Sequence, residues 1–476
     1  MNYFLLLRPV KHFLKDRALN REILRLSIPS ILANITVPLV GLVDTAVAGH
    51  LTASGVWTQA SYIGGIALGA MLFNLLFWNF SFLRTGTGGL TAQAFGRGDM
   101  RDAGKILARG LCLALSIAAV TLALQKPYMR LGIGITGAEG SVVELASGYF
   151  LLRIWAAPAT LSLMVFRGWF VGMQDSVSSM WTDLVVNTVN VCASLLLSFG
   201  CFGWPGLGYY GIAAGTVCAQ YSGLLYAVLV MVFKYRTKVL GHLGGGALSG
   251  LFGHGSLLPF LKMNGHLAGR ALCFTCIYMG YTATAATFGE TLLACASIMM
   301  QLLMLFSYFT DGFAYAGEAL SGRFIGEGNA PMLRRTVRYI FVWSMGIAVL
   351  FVGLYQLCGE PLVRIFTSDE GVVHSCTLFL PWLLVMPPLG CAAFTWDGIY
   401  LGATASRGLF LSMLGALAAF LLGWYGLRSA NPPEAGALSL HILLGAYFLH
   451  LAFRTVYLSA AARKEVYSRL EAKASK

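Results

Sequence analysis

A single acidic side chain, Asp44, interrupts a long apolar stretch near the start of the chain. From Leu26 to Leu83 no other residue is formally charged, and the segment around it reads IPSILANITVPLVGLVDTAVAGHL. A carboxylate in hydrocarbon is costly unless it is paired, hydrated or protonated. Asp44 is therefore predicted to bind a proton or a cation, the alternative being a packing or capping role. Pro38, six residues earlier, can bend or loosen the same helix.

Polar residues form a stripe along a second apolar segment. Asp183, Asn187 and Asn190 are spaced by four and then three residues, which places them on one helical face. Such a stripe points to the bundle interior or to a cavity, and Thr216 in GIAAGTVCA could add a hydroxyl there. The alternatives are hydrogen bonds that join helices and, for Asp183, simple exposure to solvent at the helix end.

The second half of the chain has acids of its own. Asp311 and Asp397 each precede a glycine, and Glu318 lies seven residues after Asp311 on the same helical face. A buried aspartate–arginine pair that braces the fold is as reasonable for Asp311 and Asp397 as a binding role. Gln301, in the methionine- and aromatic-rich run MMQLLMLFSYF, is a further candidate for this half. This run could line a pocket, and the alternative is ordinary packing in the core or against lipid.

Three arginines within apolar segments are available as counter-ions for these acids: Arg84, Arg153 and Arg270. Arg84, in FLRTGTGGL, is interpreted as a brace or gate at a helix end, more than as a ligand.

The composition indicates a membrane protein. Of the 476 residues, 57% are apolar and 11% are charged, and the mean hydropathy is +0.71, whereas soluble domains carry about 25% charged residues. Apolar stretches of about 20 residues recur along the whole length, which predicts a polytopic all-α membrane protein. No alternating barrel pattern and no cleavable signal peptide are evident.

Twelve transmembrane helices are predicted. The spans are 22–48, 58–84, 103–125, 141–168, 177–200, 208–233, 264–289, 291–318, 332–357, 374–402, 407–428 and 438–460. The net charge of +13 gathers in the loops on the side of the N-terminus, as the positive-inside rule requires if both termini are cytoplasmic. The basic balance therefore reflects topology, and no nucleic-acid partner is expected.

The chain matches itself at an offset of 230 residues. Gly168, Gly172 and Ser176 of RGWFVGMQDS correspond to Gly398, Gly402 and Ser406 of DGIYLGATAS. Each half would hold six helices, and an even number makes the two halves parallel repeats around a central cleft, an arrangement that suits alternating access. The predicted organisation is an N-terminal segment (1–21), a first bundle (22–238), a Gly- and Ser-rich linker (239–260), a second bundle (261–460) and a basic tail (461–476).

Several long motifs resemble the multidrug and toxic compound extrusion (MATE) transporters, specifically their DinF-like branch. They are LSIPSILANITVPLVGLVDTAVAGHL, FLRTGTGGLTAQAFGRGD, YGIAAGTVCAQY, LLMLFSYFTDGFAYAGEALSGR and WDGIYLGAT. The resemblance implies twelve helices in two bundles and the efflux of organic, often cationic, compounds in exchange for H⁺ or Na⁺. It also implies that Asp44 is the coupling aspartate, and that Asn190 and Thr216 belong to the same cavity.

One position departs from the pattern of the family. Relatives usually carry an aspartate four residues after the second asparagine of the fifth helix, and Ser194 stands there in this chain. Losing a carboxylate weakens a Na⁺ site, so proton coupling through Asp44 is favoured, with Na⁺ coupling left open. No other cofactor is expected. The expected partners are small organic substrates and membrane lipids, and the chain is expected to be a monomer in the bacterial inner membrane.

Other classes of function fit less well. Export of lipid-linked or anionic substrates by the same fold remains an alternative, weakened by the small number of intramembrane cations. No metal-binding or protease motif is present, so an enzyme is not expected. The ten cysteines form no CxxC pair and are interpreted as small apolar residues, and no metal site is predicted.

Overall fold

The computed structural model describes residues 16–51, 57–137, 139–200, 203–239, 241, 254–430 and 436–468. These residues fold almost entirely into helices. In chain order the helices are α1 (Arg17–His50), α2 (Gln59–Trp78), α3 (Phe82–Gly96), α4 (Met100–Ala123), α5 (Gln125–Thr136), α6 (Ser141–Arg153), α7 (Ala157–Gly172), α8 (Ser176–Phe199), α9 (Tyr209–Lys234), α10 (His254–Ala286), α11 (Glu290–Glu327), α12 (Ala330–Phe366), α13 (Glu370–Thr377), α14 (Leu380–Gly402), α15 (Ser406–Ala430) and α16 (Ala437–Ala462).

Each of the twelve predicted spans falls on one helix or on a broken pair of helices. The predicted span 58–84 covers α2 and only the start of α3, which continues to Gly96, and the span 141–168 covers α6 and most of α7, joined by the 3₁₀ turn Ile154–Ala156. The span 374–402 is α13 and α14, which bend by 52°. Hydropathy over a window of about 20 residues reports length and composition, so it does not locate a local break of this kind.

By length and composition, ten helical segments of the described residues could cross a membrane, or eleven if α13 and α14 count as one. The predicted seventh span corresponds to α10, which begins ten residues earlier than expected. Its first half carries Lys262, His266 and Arg270, which lowers its apolar character.

The chain divides into two compact units. One consists of Met1–Ile31, Phe95–Arg97 and Pro259–Lys476, and the other of Leu32–Ala94 and Gly98–Leu258. The first half of α1 is thus grouped with the C-terminal half of the chain. Most of the predicted linker 239–260, namely 240 and 242–253, lies outside the described residues, as do residues 1–15 and 469–476.

Ion pairs join the start of α1 to α11 and α12, which belong to the same unit. Asp16 pairs with Arg335 of α12 at 2.7 Å, and Glu22 pairs with Arg323 of α11 at 2.6 Å. The indole Nε1 of Trp343 donates to Asn20 Oδ1 at 2.9 Å. The first turns of α1 therefore pack on α11 and α12.

The two halves repeat the same close helix crossing. A Cβ at Gly168 of α7 would overlap the backbone of Arg84, and a Cβ at Gly398 of α14 would overlap the backbone of Ala314. Arg84 and Ala314 are themselves 230 residues apart. One turn later, Gly172 and Gly402 make the equivalent contacts with α3 and α11. The internal repeat read from the sequence is thus a repeat of three-dimensional packing.

The turn after this crossing is repeated as well. Gln174 and Thr404 both adopt positive φ, at 62° and 55°, a conformation that residues other than glycine adopt rarely. In each half the residue at this position donates its N–H to a carbonyl three residues earlier, Val171 or Leu401. The unusual backbone conformation at this turn is therefore part of the internal repeat.

Capping side chains start equivalent helices. Asp99 accepts from the N–H of Asp102 at 2.9 Å to begin α4, and Asn329 accepts from the N–H of Met332 at 3.1 Å to begin α12. These two capping residues are also 230 positions apart. A side-chain oxygen at this position satisfies a backbone donor that the first turn leaves free.

Candidate functional site: the buried Asp44 cluster

Asp44 lies on the buried face of the second half of α1. The Asp44 residue is 4% exposed, and Val47, Ala48 and Leu51 on the same face are also buried. These apolar neighbours join a cluster that includes Tyr62, Tyr149 and Tyr209. Residues three, four and seven positions apart share one face of a helix, so the apolar residues hold the carboxylate inside the bundle.

The closest described partner of Asp44 is the hydroxyl of Ser194. Ser194 Oγ donates to Asp44 Oδ1 at 3.5 Å, at the long limit of a hydrogen bond, and lies equally far from the carbonyl of Ile212. Ser194 reaches this position because Gly215 of α9 has no side chain, since a Cβ there would lie 2.5 Å from the Ser194 backbone nitrogen. The carboxylate of Asp44 is thus only weakly held by hydrogen bonding.

Asn190 lies one turn before Ser194 on α8. Its Nδ2 donates to Thr216 Oγ1 at 3.0 Å, and the Thr216 hydroxyl donates to the carbonyl of Ile212 at 3.2 Å. Asn190 is 1% exposed, and its Oδ1 has no hydrogen-bond partner among the described residues. A buried acceptor without a donor is unfavourable, so this oxygen is available to a ligand, a water or a cation.

A cation belongs to the same cluster. Arg153, at the end of α6, interacts electrostatically with Asp44 and donates from Nη1 to the Tyr149 hydroxyl at 2.9 Å. The guanidinium also lies 4.2 Å from the centroid of the Phe73 ring. The described part of the cluster therefore contains one carboxylate and one guanidinium, which interact electrostatically without a hydrogen bond or ion pair recorded between them.

The rest of the polar stripe on α8 points to other partners. Asn187 Nδ2 donates to Thr36 Oγ1 of α1 at 2.6 Å. Asp183 pairs with Arg167 of α7 at 2.6 Å and interacts with Arg84. Asp183 lies about 16 Å along the helix from Ser194, so the structure places it away from the Asp44 cluster, in an ion pair and not in open solvent.

The C-terminal half contains a second buried charge cluster, around Asp397 of α14. Asp397 Oδ2 accepts from Arg270 of α10 at 2.6 Å and also from Arg454 of α16. Asp397 and Arg454 are 9% and 2% exposed. The buried aspartate–arginine pairing considered for Asp397 is thus present, with two arginines in place of one.

The remaining candidates of this half lie elsewhere in their unit. Glu318 of α11 is completely buried, whereas Asp311 is half-buried and accepts from the Ser307 hydroxyl at 3.5 Å. Gln301 is exposed.

Pro38 and Arg84 were expected to act as hinge or gate. Pro38 is exposed and lies within the continuous helix α1, six residues before Asp44. Arg84 is half-buried on α3, where its backbone forms the close crossing with Gly168. Arg84 takes part in the α3–α7 contact through its main chain, and its side chain interacts electrostatically with Asp183.

Sequence reasoning missed two arginines. Arg167 occupies the position of the repeat that Asp397 occupies in the second half, so comparing the two runs for charge would have revealed it. Arg454 is the single Asp, Glu, Lys or Arg in the 26 residues of α16, which is the same signal that revealed Asp44. Both lie within spans that are predicted as apolar helices.

The Asp44 cluster offers one carboxylate and several neutral oxygen atoms that could bind a ligand. The described residues contain no group of three His, Cys, Asp or Glu side chains that could hold a metal ion. The hydroxyls of Ser194 and Thr216 and the free Oδ1 of Asn190 can hydrate or ligate a small cation, and Asp44 can bind a proton or a positively charged organic group.

Comparisons with known proteins agree with this architecture. The MatE family model matches residues 29–196 and 267–425, one segment in each half of the chain. The chain is 32% identical over 404 residues to DNA damage-inducible protein F of Escherichia coli, covering 85% of each protein. It is 23% identical over 396 residues to the probable multidrug resistance protein NorM of Photorhabdus laumondii, covering 83% of this chain and 84% of that protein.

Solved structures share the fold. The crystal structure of MATE in the bent conformation superposes with a TM-score of 0.80 at 18% identity, covering 96% of this chain and 97% of that one. The structure of MATE in the straight conformation gives 0.81 at 17% identity. The family match spans more than half of the chain, and the similarity to the E. coli protein runs through both halves. The chain therefore belongs to the MatE family of multidrug and toxic compound extrusion transporters, in the branch of DNA damage-inducible protein F, and it is a membrane transporter and not an enzyme.

Proposed function

We propose that this transporter exports amphipathic cationic organic compounds in exchange for protons, and that Asp44 is the residue for which proton and substrate compete. The observation that carries the proposal is the isolation of the Asp44 carboxylate. It is 4% exposed and has one long hydrogen bond among the described residues. Such a carboxylate gains much from either a proton or a cationic ligand.

Competition for one carboxylate is sufficient for exchange. The ionised Asp44 attracts a cationic substrate on the side where protons are scarce. Protonation on the opposite side removes the charge, and the substrate loses its partner. Because proton and substrate each lower the affinity for the other, no separate path between two sites is needed.

Sodium coupling is the alternative, and the donor set argues against it. Sodium is a hard cation that prefers several oxygen ligands with compensating negative charge, as other hard cations do. Ser194 supplies a neutral hydroxyl, and Arg153 adds a positive charge near Asp44. Asn190 Oδ1, which has no partner among the described residues, would favour a cation. Taken together, these ligands favour proton coupling over sodium coupling.

Transport by reconstituted protein tests the proposal. Full-length protein in liposomes is exposed to a pH gradient alone or to a Na⁺ gradient alone, and the movement of a fluorescent cationic dye is followed. Dye movement driven by the pH gradient is expected, with little response to Na⁺. A response to the Na⁺ gradient alone would overturn proton coupling.

Asp44→Asn is the decisive variant. It keeps the size of the side chain and removes the titrating group, so pH-driven dye movement should fall to the level of empty liposomes. The matched control is Asp369→Asn, at an exposed residue that caps α13 and where asparagine caps as well as aspartate. Equal transport by Asp44→Asn and wild type would refute the role of Asp44.

The orientation of the chain is part of the proposal. The spans and the bacterial relative indicate a multi-pass protein of the inner membrane. The charge bias of the loops supports cytoplasmic N- and C-termini, and a monomer in contact with membrane lipids is expected. A fluorescent protein fused to the C-terminus should be bright, since it folds in the cytoplasm, and a dark fusion would reverse the assignment.

A further inference from the structure

The first turns of α12 carry three arginines on the outside of the protein. Arg334, Arg335 and Arg338 are all exposed, and spacings of three and four residues bring them to one side of the helix. Arg335 pairs with Asp16 at 2.7 Å. Among the described residues, no carboxylate forms an ion pair with Arg334 or Arg338. Two guanidinium groups at the start of α12 are therefore available to an anion.

A second element reaches the same two arginines. The residues that follow α16, Arg463–Tyr467, form one turn of π-helix whose first two residues are basic and exposed. Such turns are rare and are frequent at functional sites. The side chain of Tyr467 is half-buried and interacts electrostatically with both Arg334 and Arg338. Two guanidinium groups and a phenol hydroxyl thus lie near one another between α12 and the end of α16.

The acid of this turn, Glu465, is directed to other neighbours. Its carboxyl group interacts electrostatically with Tyr400 of α14 and Tyr457 of α16. The interactions of the Tyr467 hydroxyl group are instead with Arg334 and Arg338. Because an arginine keeps its proton in proteins, this position carries two positive charges that no described acid pairs with.

Beyond the arginines, the outer face of α12 is apolar. From Arg338 this face continues at steps of three or four residues through Val342, Gly346, Val349 and Gly353. Val349 is 67% exposed, and a Cβ at Gly346 or Gly353 would meet no atom within 4 Å. The helix is long and apolar enough to cross a membrane, and an exposed apolar surface on such a helix is suited to lipid chains.

We propose that Arg334, Arg338 and Tyr467 bind the phosphodiester headgroup of an anionic phospholipid, whose acyl chains lie along the apolar outer face of α12. Guanidinium groups bind phosphate oxygens through charge-assisted, often paired, hydrogen bonds, and a phenol hydroxyl can donate one more. Basic clusters between helices at the membrane surface suit such headgroups. A soluble anion would use the same charges without the apolar face beside them. The proposal is independent of the coupling ion and of the exported compound.

Two phospholipids with the same acyl chains test the site. Dioleoyl phosphatidylglycerol is anionic, whereas dioleoyl phosphatidylcholine is zwitterionic. Binding of each lipid to the full-length protein in a neutral detergent is measured by native mass spectrometry. Wild type should bind phosphatidylglycerol more tightly than phosphatidylcholine. The double variant Arg334→Gln/Arg338→Gln should lose about tenfold or more of the phosphatidylglycerol affinity, since two contacts to the headgroup charge are removed.

Two further variants separate the site from general electrostatics. Arg101→Gln/Arg236→Gln is the matched control, because both arginines are exposed in the other half of the chain and the variant removes the same two charges. It should bind phosphatidylglycerol as wild type does. Tyr467→Phe keeps the ring and the net charge and should lose a few-fold of the affinity. Melting curves establish that each variant is folded.

Equal binding of the two lipids by wild type would overturn the proposal, and so would equal losses of affinity in the α12 double variant and its matched control. Free sn-glycerol 3-phosphate should not displace the bound lipid, because it lacks acyl chains. Displacement at similar concentrations would identify the ligand as a soluble phosphate and refute the lipid assignment. If the α12 double variant does not fold, Tyr467→Phe decides, and unchanged phosphatidylglycerol affinity in that variant would overturn the site.

Discussion

Replacing Gly168 or Gly398 by alanine should destabilise the protein strongly, because each glycine lies where two helix backbones meet. A Cβ at Gly168 would lie 2.9 Å from the carbonyl carbon of Arg84, and a Cβ at Gly398 would lie 2.6 Å from that of Ala314. Non-bonded carbon atoms prefer about 3.5–4.0 Å. The obstacle is backbone and not a flexible side chain, so whole helices must separate by roughly 1 Å.

The expected loss in the free energy of unfolding follows from two opposing effects. Overpacking of a close helix contact costs about 3 kcal/mol, at the upper end of the usual range. Alanine in place of glycine within a helix returns about 1 kcal/mol. The net loss of about 2 kcal/mol corresponds to a fall in melting temperature of about 4–8 °C for a unit of a few hundred residues. Both halves should respond alike, since the contact is repeated.

Thermal melting of the detergent-purified variants, followed by tryptophan fluorescence, measures the effect. Gly346→Ala and Gly353→Ala on α12 are the matched controls, because a Cβ at either position meets no atom within 4 Å. These controls should melt at or above the wild-type temperature. If Gly168→Ala and Gly398→Ala melted with the controls, the assignment of both glycines to the repeated crossing would be wrong.

Two further predictions concern the first half of the chain. Ser194→Asp places a second carboxylate beside Asp44 and should make dye transport respond to a Na⁺ gradient, which wild type should ignore; an unchanged ion dependence would refute the link between this position and ion choice. Asp175 lies between α7 and α8, where burial alone would raise its pKa, but hydrogen bonds from Lys234, Ser178 and Tyr235 lower the pKa below its usual value. The stability that this ionised group contributes is complete above the unfolded pKa of about 3.9 and is lost as the pH falls through the lower folded value. Asp175→Asn, in which asparagine still caps α8, should therefore melt below wild type at pH 7, and the difference should shrink below about pH 4; a difference that is independent of pH would contradict the charge-based explanation.

The helices themselves could be predicted because hydropathy is a local property. Every predicted span overlaps a helix or a broken pair, although α3 extends to Gly96 and α10 begins at His254, beyond the predicted ends. The offset of 230 residues corresponds to a repeated packing of Gly168 and Gly398. The breaks at residues 79–81 and 154–156 could not be predicted, since both sides of each break are apolar and no proline or glycine stands in the break itself.

The Asp44 cluster was partly predictable. Residue types and spacing point to Asp44, Asn190 and Thr216, and the resemblance to the family points to Ser194; the structure brings the four together through α1, α8 and α9. The spacing on α8 suggested one continuous polar face, whereas Asp183 pairs with Arg167 of another helix. A polar stripe shows which residues lie on one face of a helix. It does not show which neighbouring helix each of these residues contacts, because the neighbours change along the length of the helix.

The sequence by itself determined that this protein is an α-helical membrane protein with a duplicated fold and one isolated acid, because hydrophobic length, repeat offset and single charges are visible along the chain. The tertiary structure decided which charges meet. Asp44 lies with Ser194 and Arg153, and Asp397 lies with Arg270 and Arg454. Partners separated by up to 150 positions come together only through helix packing, and in an apolar interior that pairing determines whether a buried charge is compensated.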